Sequence, residues 1–527
     1  TAVWPEPLAH GIWARATVAR AFPTLRNSRS CFAMALPMLR PGLDDAAMQR
    51  YTYSIVPLWT LFGLVFMGPF YGFNVWLMGV LQAFGFRDVW SPSGAGVTTA
   101  FTVATFSLGI CAAAVGPWIL VLGARRIYFL GQVGSCCAMV ASGISLEGHS
   151  LVGLYFAWGV LYGVSQGAAY LAVLTCCMSW FRRCGKAGLG AGWAGFSCGF
   201  WAAVFSYVGP AAVDAVTLAK SFHLCAIVSF FAAAWPALLI CTPDEIMLAT
   251  PPFASDKDLA QREEDEDATG EGRSHSKGCS ATTPADSQLD VAHARMQPAS
   301  CVPQSQDPTP MTMMQAVSKP ELWMLWFQYL FATMPGYGVK YIISPMMANV
   351  FAASVTLQAT ASFAFLVSYA VARLVTGLVI GPCVSAHRFA GGLIAITTLV
   401  CAITGAFLFS SPHSGRDSQH GDDVLVWVFV ALISVIGMAF ASLKVMVPLL
   451  LLDMGGPANL GLLTGLMWTS TGTAGVLGPV TSWMALAANS DRDTPSAVAA
   501  WFCGSAGLTS AAMMLHLARP LLLRATK

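Results

Sequence analysis

The stretch VLVWVFVALISVIGMAFASLKVMVPLLLL, residues 424–452, decides the fold. It exceeds the roughly 20 apolar residues that carry a helix across a lipid bilayer, and its single charge is Lys444. Working outward, comparable stretches lie at about 56–83, 97–122, 127–146, 151–177, 188–212 and 221–241. Five more follow at about 322–347, 357–381, 389–410, 460–487 and 497–518. The chain therefore reads as an all-α polytopic membrane protein with twelve transmembrane helices in two six-helix halves. Its expected parts are an Arg-rich extension over 1–54, a first half over 55–241, a polar linker over 242–320, a second half over 321–518 and a short basic tail over 519–527. Composition agrees: of 527 residues 56% are hydrophobic and 10% charged, where soluble domains carry roughly 25% charged residues.

The formal charge of +2 hides an uneven distribution. Residues 243–318 hold 13 acids and 5 bases, leaving 23 bases and 13 acids elsewhere. The acidic run from Glu263 to Asp267 and the Ser, Thr, Pro and Gln that follow have no apolar period, so this segment is expected to be a disordered tether, with a regulatory or partner-binding tail as the alternative. No basic run is interleaved with aromatics, which argues against nucleic acid as a partner. Short loops carrying Arg125, Arg126, Arg182, Arg183, Lys186 and Arg388 fall on one side, with Arg519, Arg524 and Lys527 of the tail; the other side holds Arg87, Lys220, Arg416 and Arg492. The excess of bases places both termini on the cytosolic, or equivalent, side. The N-terminal segment has six Arg and no acid between Pro7 and Leu43, which fits an organellar transit peptide and a positive-inside flank equally, so organellar and plasma membrane both stay open. The sequence opens on Thr1 rather than Met, as a fragment or processed chain would. Its 15 Cys lie scattered in apolar segments without C-x-x-C spacing and read as small buried side chains, so neither a metal nor a cofactor is expected.

Charges inside the spans are all of one sign. Each of the 26 acids lies outside the span interiors, whereas Lys340, Arg373 and Lys444 lie within spans 7, 8 and 10. A charge at the bilayer centre costs about 2.5 to 3.5 kcal/mol even on insertion scales, so unpaired bases point to a function. With no carboxylate to neutralise them, the complementary partner is an anion that comes and goes. Helical spacing groups Arg373 with Ser362, Tyr369 and Thr376, Lys444 with Gly437, Ala441 and Pro448, and Lys340 with Thr333, Tyr337 and Ser344 below an expected break at Pro335-Gly336. Lys340 lies nearer a helix end and is expected to snorkel to the interface. Tyr155, Tyr162, Gln166 and Tyr170 of span 4, Tyr71 and Asn74 of span 1, and Thr464, Trp468 and Thr471 of span 11 are further pocket candidates, with helix packing as the alternative for each. The substrate-binding set is thus Arg373, Lys444, Lys340, Tyr369, Tyr337, Tyr162, Gln166, Tyr71 and Trp468. The alternative for each base is a structural role, satisfied by backbone carbonyls or water.

Twelve spans split six and six by a polar loop resemble the major facilitator superfamily. The run from Met178 to Gly190, MSWFRRCGKAGLG, continuing to Gly195-Phe196-Ser197-Cys198-Gly199, is similar to the aromatic, basic and glycine loop of its oxalate:formate antiporter and monocarboxylate-porter branch. Arg373 with Gly377 four residues on resembles that branch's span 8, and Asn459-Leu460-Gly461 the start of its span 11. The loop after span 2, Gly116 to Arg125, departs from the family's G-x-x-x-D-R-x-G-x-R by lacking the Asp-Arg pair, and Gly381 stands where an Asp is usual. Met467 occupies the position of the span 11 lysine that, in the oxalate carrier, joins the span 8 arginine in clamping a dianion. The resemblance therefore implies that Lys444 supplies the second charge or that Arg373 alone holds a monocarboxylate.

The function expected is secondary active transport of a small organic anion, a monocarboxylate, by alternating access, with a proton or counter-anion as the coupled species and a monomer in the bilayer as the working unit. A sensor or receptor derived from a transporter, and a facilitator for a non-anionic solute, remain the alternatives. ATP-driven transport is disfavoured because around Gly185-Lys186 the first glycine of the phosphate cradle is Trp180 and the residue after the lysine is Ala187. An enzyme is disfavoured because no intramembrane acid, nucleophile-base pair or metal cluster is legible.

Overall fold

A computed structural model describes residues 45–86, 92–243, 311–380, 385–410, 422–456, 459–487 and 494–525. Most of the Arg-rich extension, most of the acidic linker, and Arg87, Gly381, Arg416, Arg492 and Lys527 lie outside the described residues. The first six segments are α1 (Asp45–Gly63, then Met67–Gly72 and Asn74–Ala83), α2 (Pro92–Val115, extended by Gly116–Trp118 and Ile119–Leu122), α3 (Ala124–Glu147), α4 (Leu151–Arg183), α5 (Ala187–Val216) and α6 (Leu218–Ala234, then Pro236–Leu239). The second six are α7 (Pro320–Phe351), α8 (Val355–Val379), α9 (Ala386–Ser410), α10 (Asp422–Gly455), α11 (Leu460–Ala487) and α12 (Thr494–Ala525). Helices are what a bilayer demands, since a helix satisfies its backbone polar groups internally. Three boundaries differ from expectation: α1 begins at Asp45, a short capped helix Met313–Val317 precedes α7, and α12 runs to Ala525.

Among the described residues, nine helices are long and apolar enough to cross a membrane on length and composition alone. Segments α7 and α11 are not among the nine because polar, aromatic and glycine residues lower their hydropathy, and α1 is not because its breaks leave helical pieces of 19, 6 and 10 residues. All three carry polar and aromatic side chains that face inward, including Tyr71, Tyr329, Tyr337, Lys340, Trp468 and Thr471, all buried or half-buried. Large apolar side chains such as Phe156, Tyr207, Phe231 and Leu517 are instead turned outward, as lipid-facing positions require.

The break in α1 is the irregularity that shapes the first half. Turns at Leu64–Phe66 and at Phe73 interrupt the helix and release carbonyls from the regular ladder. Side chains of the neighbouring helices take them up: Trp201 Nε1 donates to Leu61 O at 2.7 Å, Gln132 Nε2 to Gly63 O at 2.9 Å and Tyr162 Oη to Phe66 O at 2.5 Å. Segment α7, by contrast, continues without a break through Pro335 and Pro345. The interruption expected at Pro335-Gly336 is absent, and the Phe440 ring fills the place a Cβ on Gly336 would take.

The halves meet along two seams of small residues, α5 on α8 and α2 on α11. Gly192 and Gly377 face one another, and a methyl group on Gly192 would lie 2.7 Å from the Arg373 carbonyl. On the other seam Gly109, Gly465 and Gly472 face the α11 or α2 backbone at comparably close range. Such close approach between helix backbones is the use to which small residues are put in membranes.

Candidate functional site

Between the seams lies a narrow cavity of about 20 Å³. The first half lines it with Phe70, Tyr71, Thr105, Leu108, Tyr170 and Leu174, the second with Tyr329, Tyr337, Arg373, Lys444, Trp468 and Thr471. Two of these twelve residues are basic and none is acidic. Tyr170 and Trp468 bring their rings to 4.4 Å across the half-to-half boundary.

Segment α8 presents Arg373, which is 1% exposed. Its Nη1 donates to the Gly195 carbonyl of α5 at 3.0 Å, its Nη2 donates to Tyr369 Oη, and the guanidinium carbon sits 4.2 Å from the Tyr369 ring centroid. Nε has no hydrogen-bond partner. Segment α10 presents Lys444, whose Nζ donates to Tyr337 Oη at 2.6 Å and to Tyr71 Oη at 3.3 Å. The rings of Tyr337 and Phe440 flank the same ammonium at 4.4 and 4.6 Å. These contacts give each cation partial negative charge, from phenol oxygens, ring faces and a peptide dipole, but no full counter-charge.

Lys340 is placed differently from expectation. It is 2% exposed and does not snorkel. Its ammonium lies 3.6 Å from the Tyr71 ring centroid and 4.7 Å from that of Tyr341, with no hydrogen-bond partner, behind the cavity wall. Depth along the sequence suggested an interfacial lysine, whereas the aromatic rings of α1 and α7 enclose it.

The structure brings Arg373, Lys444, Tyr337, Tyr71 and Trp468 to the cavity and puts Tyr369 against Arg373. Tyr162 and Gln166 stay in the packing of the first half: Tyr162 serves the Phe66 carbonyl, and Gln166 Nε2 donates to Ser135 Oγ at 2.6 Å. Tyr329, Phe70, Thr105, Leu108 and Leu174 line the cavity without having been singled out from the sequence. For Tyr329 a readable pattern exists, since Tyr329, Thr333, Tyr337 and Tyr341 recur at intervals of four along one face of α7.

The loop bases are set apart from the cavity. Arg125 Nη2 donates to Leu238 O at 2.7 Å and its Nε to Ile240 O at 3.3 Å, tying the start of α3 to the end of α6. Arg182 and Arg183 occupy the last turn of α4, where cations complement the helix dipole. Lys186 precedes α5 with its ammonium 5.3 Å from the Tyr53 ring centroid. His223 lies with Nε2 3.2 Å from the Val140 carbonyl.

Residues 58–479 match the family model of the Major Facilitator Superfamily. Among solved structures the chain is similar to FucP, a transporter of that superfamily in the outward conformation, with a TM-score of 0.51 and 14% sequence identity over 89% of this chain and 99% of that one. The human organic anion transporter MFSD10 aligns with a TM-score of 0.48 and 16% identity, again over 89% of this chain and 99% of that one. No curated protein sequence matches the chain. The matches reach the superfamily and stop short of the oxalate:formate and monocarboxylate branch.

Proposed function

Given that this chain belongs to the major facilitator superfamily of membrane transporters, we propose that it is a secondary active transporter moving a small organic anion, a monocarboxylate, by alternating access. The observation that carries the reading is the cavity between the halves, where Arg373 and Lys444 converge with no acidic residue in the wall and Lys340 stands directly behind. Buried charges are costly unless paired, and the partner they lack is a carboxylate. Arg373 and Lys444 hold the anionic group, Tyr337 and Tyr71 orient the lysine, and Tyr170, Tyr329 and Trp468 enclose the body of the cargo. The anion is bound near the middle of the bilayer and screens the bases while the halves rock about it. We place both termini on the cytosolic or equivalent side, following the loop bases, and take the monomer as the working unit.

Uptake of a panel of radiolabelled carboxylates into reconstituted vesicles tests the reading. At least one carboxylate is expected to accumulate, and Arg373→Gln is expected to abolish it. Full uptake by the variant would overturn the anion assignment. Repeating the assay under a pH gradient, with and without internal substrate, separates proton symport from anion exchange.

A further inference from the structure

The bases around the cavity belong to the second half, yet each is held by a group of the first. Lys444 donates to the Tyr71 hydroxyl at 3.3 Å, Lys340 rests on the Tyr71 ring at 3.6 Å, and Arg373 donates to the Gly195 carbonyl at 3.0 Å. Tyr71 is the residue of the first half that meets both lysines, and it also lines the cavity with its ring 6.0 Å from that of Tyr369. It sits on the six-residue helix Met67–Gly72, between the two interruptions of α1. That placement lets it shift without moving the long helical piece before it.

We propose that Tyr71, assisted by the Gly195 carbonyl, stands in for the anion in the empty carrier and forms a latch between the halves that the cargo releases. The inference rests on the reading of the cavity as an anion site. Its physical basis is competition for the same donors. A carboxylate brings a full opposite charge and two acceptor oxygens to donors that the phenol oxygen and the peptide carbonyl meet only with partial charge, so it displaces them. Once the ammonium groups are neutralised, their hold on Tyr71 across the interface weakens. The cargo thus favours the unlatched arrangement by its differential affinity, which is the only way a ligand can shift such an equilibrium. Tyr71 is a positioning residue here: it acts by holding the bases and by transmitting their charge state to the first half.

The latch is testable without knowing the cargo. Spin labels at positions 186 and 385 straddle the seam where α5 begins and α8 ends, and both positions are exposed. In carboxylate-free buffer the wild-type protein is expected to give one narrow distance distribution. Tyr71→Leu, which removes both ring and hydroxyl, is expected to raise a longer-distance population well beyond the roughly tenfold that losing one hydrogen bond to a charged group is worth. Tyr71→Phe keeps the ring over Lys340 and is expected to fall between the two, and Lys444→Met should reproduce it from the other side of the same bond. If Tyr71→Leu does not fold, Tyr71→Phe and Lys444→Met decide. Distributions identical to wild type in these variants overturn the latch. The anion reading fails separately: if Arg373→Gln retains carboxylate uptake the site assignment falls, and with it the latch, whereas lost uptake with unmoved label distances removes the latch alone.

Discussion

Tyr162, Gln132, Trp201 and Gln166 hydrogen-bond within the first half of the molecule, while the bases Arg373 and Lys444 of the second half line a cavity that both halves share. Tyr162, Gln132 and Trp201 answer carbonyls freed by the break in α1, and Gln166 answers Ser135. On the other side Tyr337, Lys444 and Arg373 face the opposite half, and their partners are tyrosine hydroxyls and one helix carbonyl. Both groups are buried to a similar degree, so burial alone does not mark a binding site. What distinguishes them is charge: the first group is neutral and its donors meet neutral acceptors, whereas Arg373 and Lys444 are cationic and have no carboxylate partner among the described residues.

The sharpest test of that contrast is Arg373→Gln, set against a neutral change in the first half. Removing the guanidinium should reduce uptake roughly 100-fold, the scale of losing a charge-assisted contact to an anion of about 3 kcal/mol. Arg373→Lys should recover little of it, because the forked donors that reach both Gly195 and Tyr369 cannot be reproduced by a point charge. Labelled-carboxylate uptake, normalised to the amount of protein inserted, reads both. Equal activity of Arg373→Gln and wild type would erase the difference between the halves.

Next in size is Lys444→Met. The side chain keeps its length and loses its charge, so the apparent KM should rise about tenfold with a smaller change in maximal rate, as expected when one of two bases is removed from the site. Unchanged kinetics would take Lys444 out of the site and leave Arg373 to hold a monocarboxylate alone. Gly192→Ala tests the scaffold beneath them. A methyl group 2.7 Å from the Arg373 carbonyl must push α5 from α8, at a cost of roughly 1–3 kcal/mol. A lowered Tm in detergent, with Arg373 displaced from Gly195, should follow.

The architecture was legible because its cause is simple: apolar length and the lack of charge within it. The segments hardest to see by hydropathy, α7 and α11, are those whose polar stripes turn inward. The three bases were legible for the same reason, being exceptions to an apolar rule. Less legible were the roles of neutral side chains. Tyr162 and Tyr337 are both buried tyrosines on helices with polar neighbours at intervals of four, and nothing local tells them apart. Their difference comes from α1: its break at Leu64–Phe66, between Gly63 and Pro69, places the Phe66 carbonyl within reach of Tyr162, and no such break faces Tyr337. Pro335-Gly336 shows the converse, a strong breaker pair inside a helix that continues because Phe440 packs on the glycine.

The smallest effects belong to the first-half stripe, and they sharpen the comparison by separating stability from transport. Tyr162→Phe removes the donor to the Phe66 carbonyl, leaving a buried acceptor short of one partner, and should lower stability by about 1–3 kcal/mol. Gln166→Leu strips the partner of Ser135, whose hydroxyl still donates to Gly131 O at 2.7 Å, so its cost should be nearer 1 kcal/mol. In both variants the cavity wall is untouched. The apparent KM for the transported carboxylate should therefore stay within about twofold of wild type while the Tm falls, since the lost interaction is equal in the free and loaded carrier. A KM that rises together with the fall in Tm would mean that the break in α1 relaxes into the site through Tyr71, five residues beyond Phe66, and that the two groups of polar side chains act as one network.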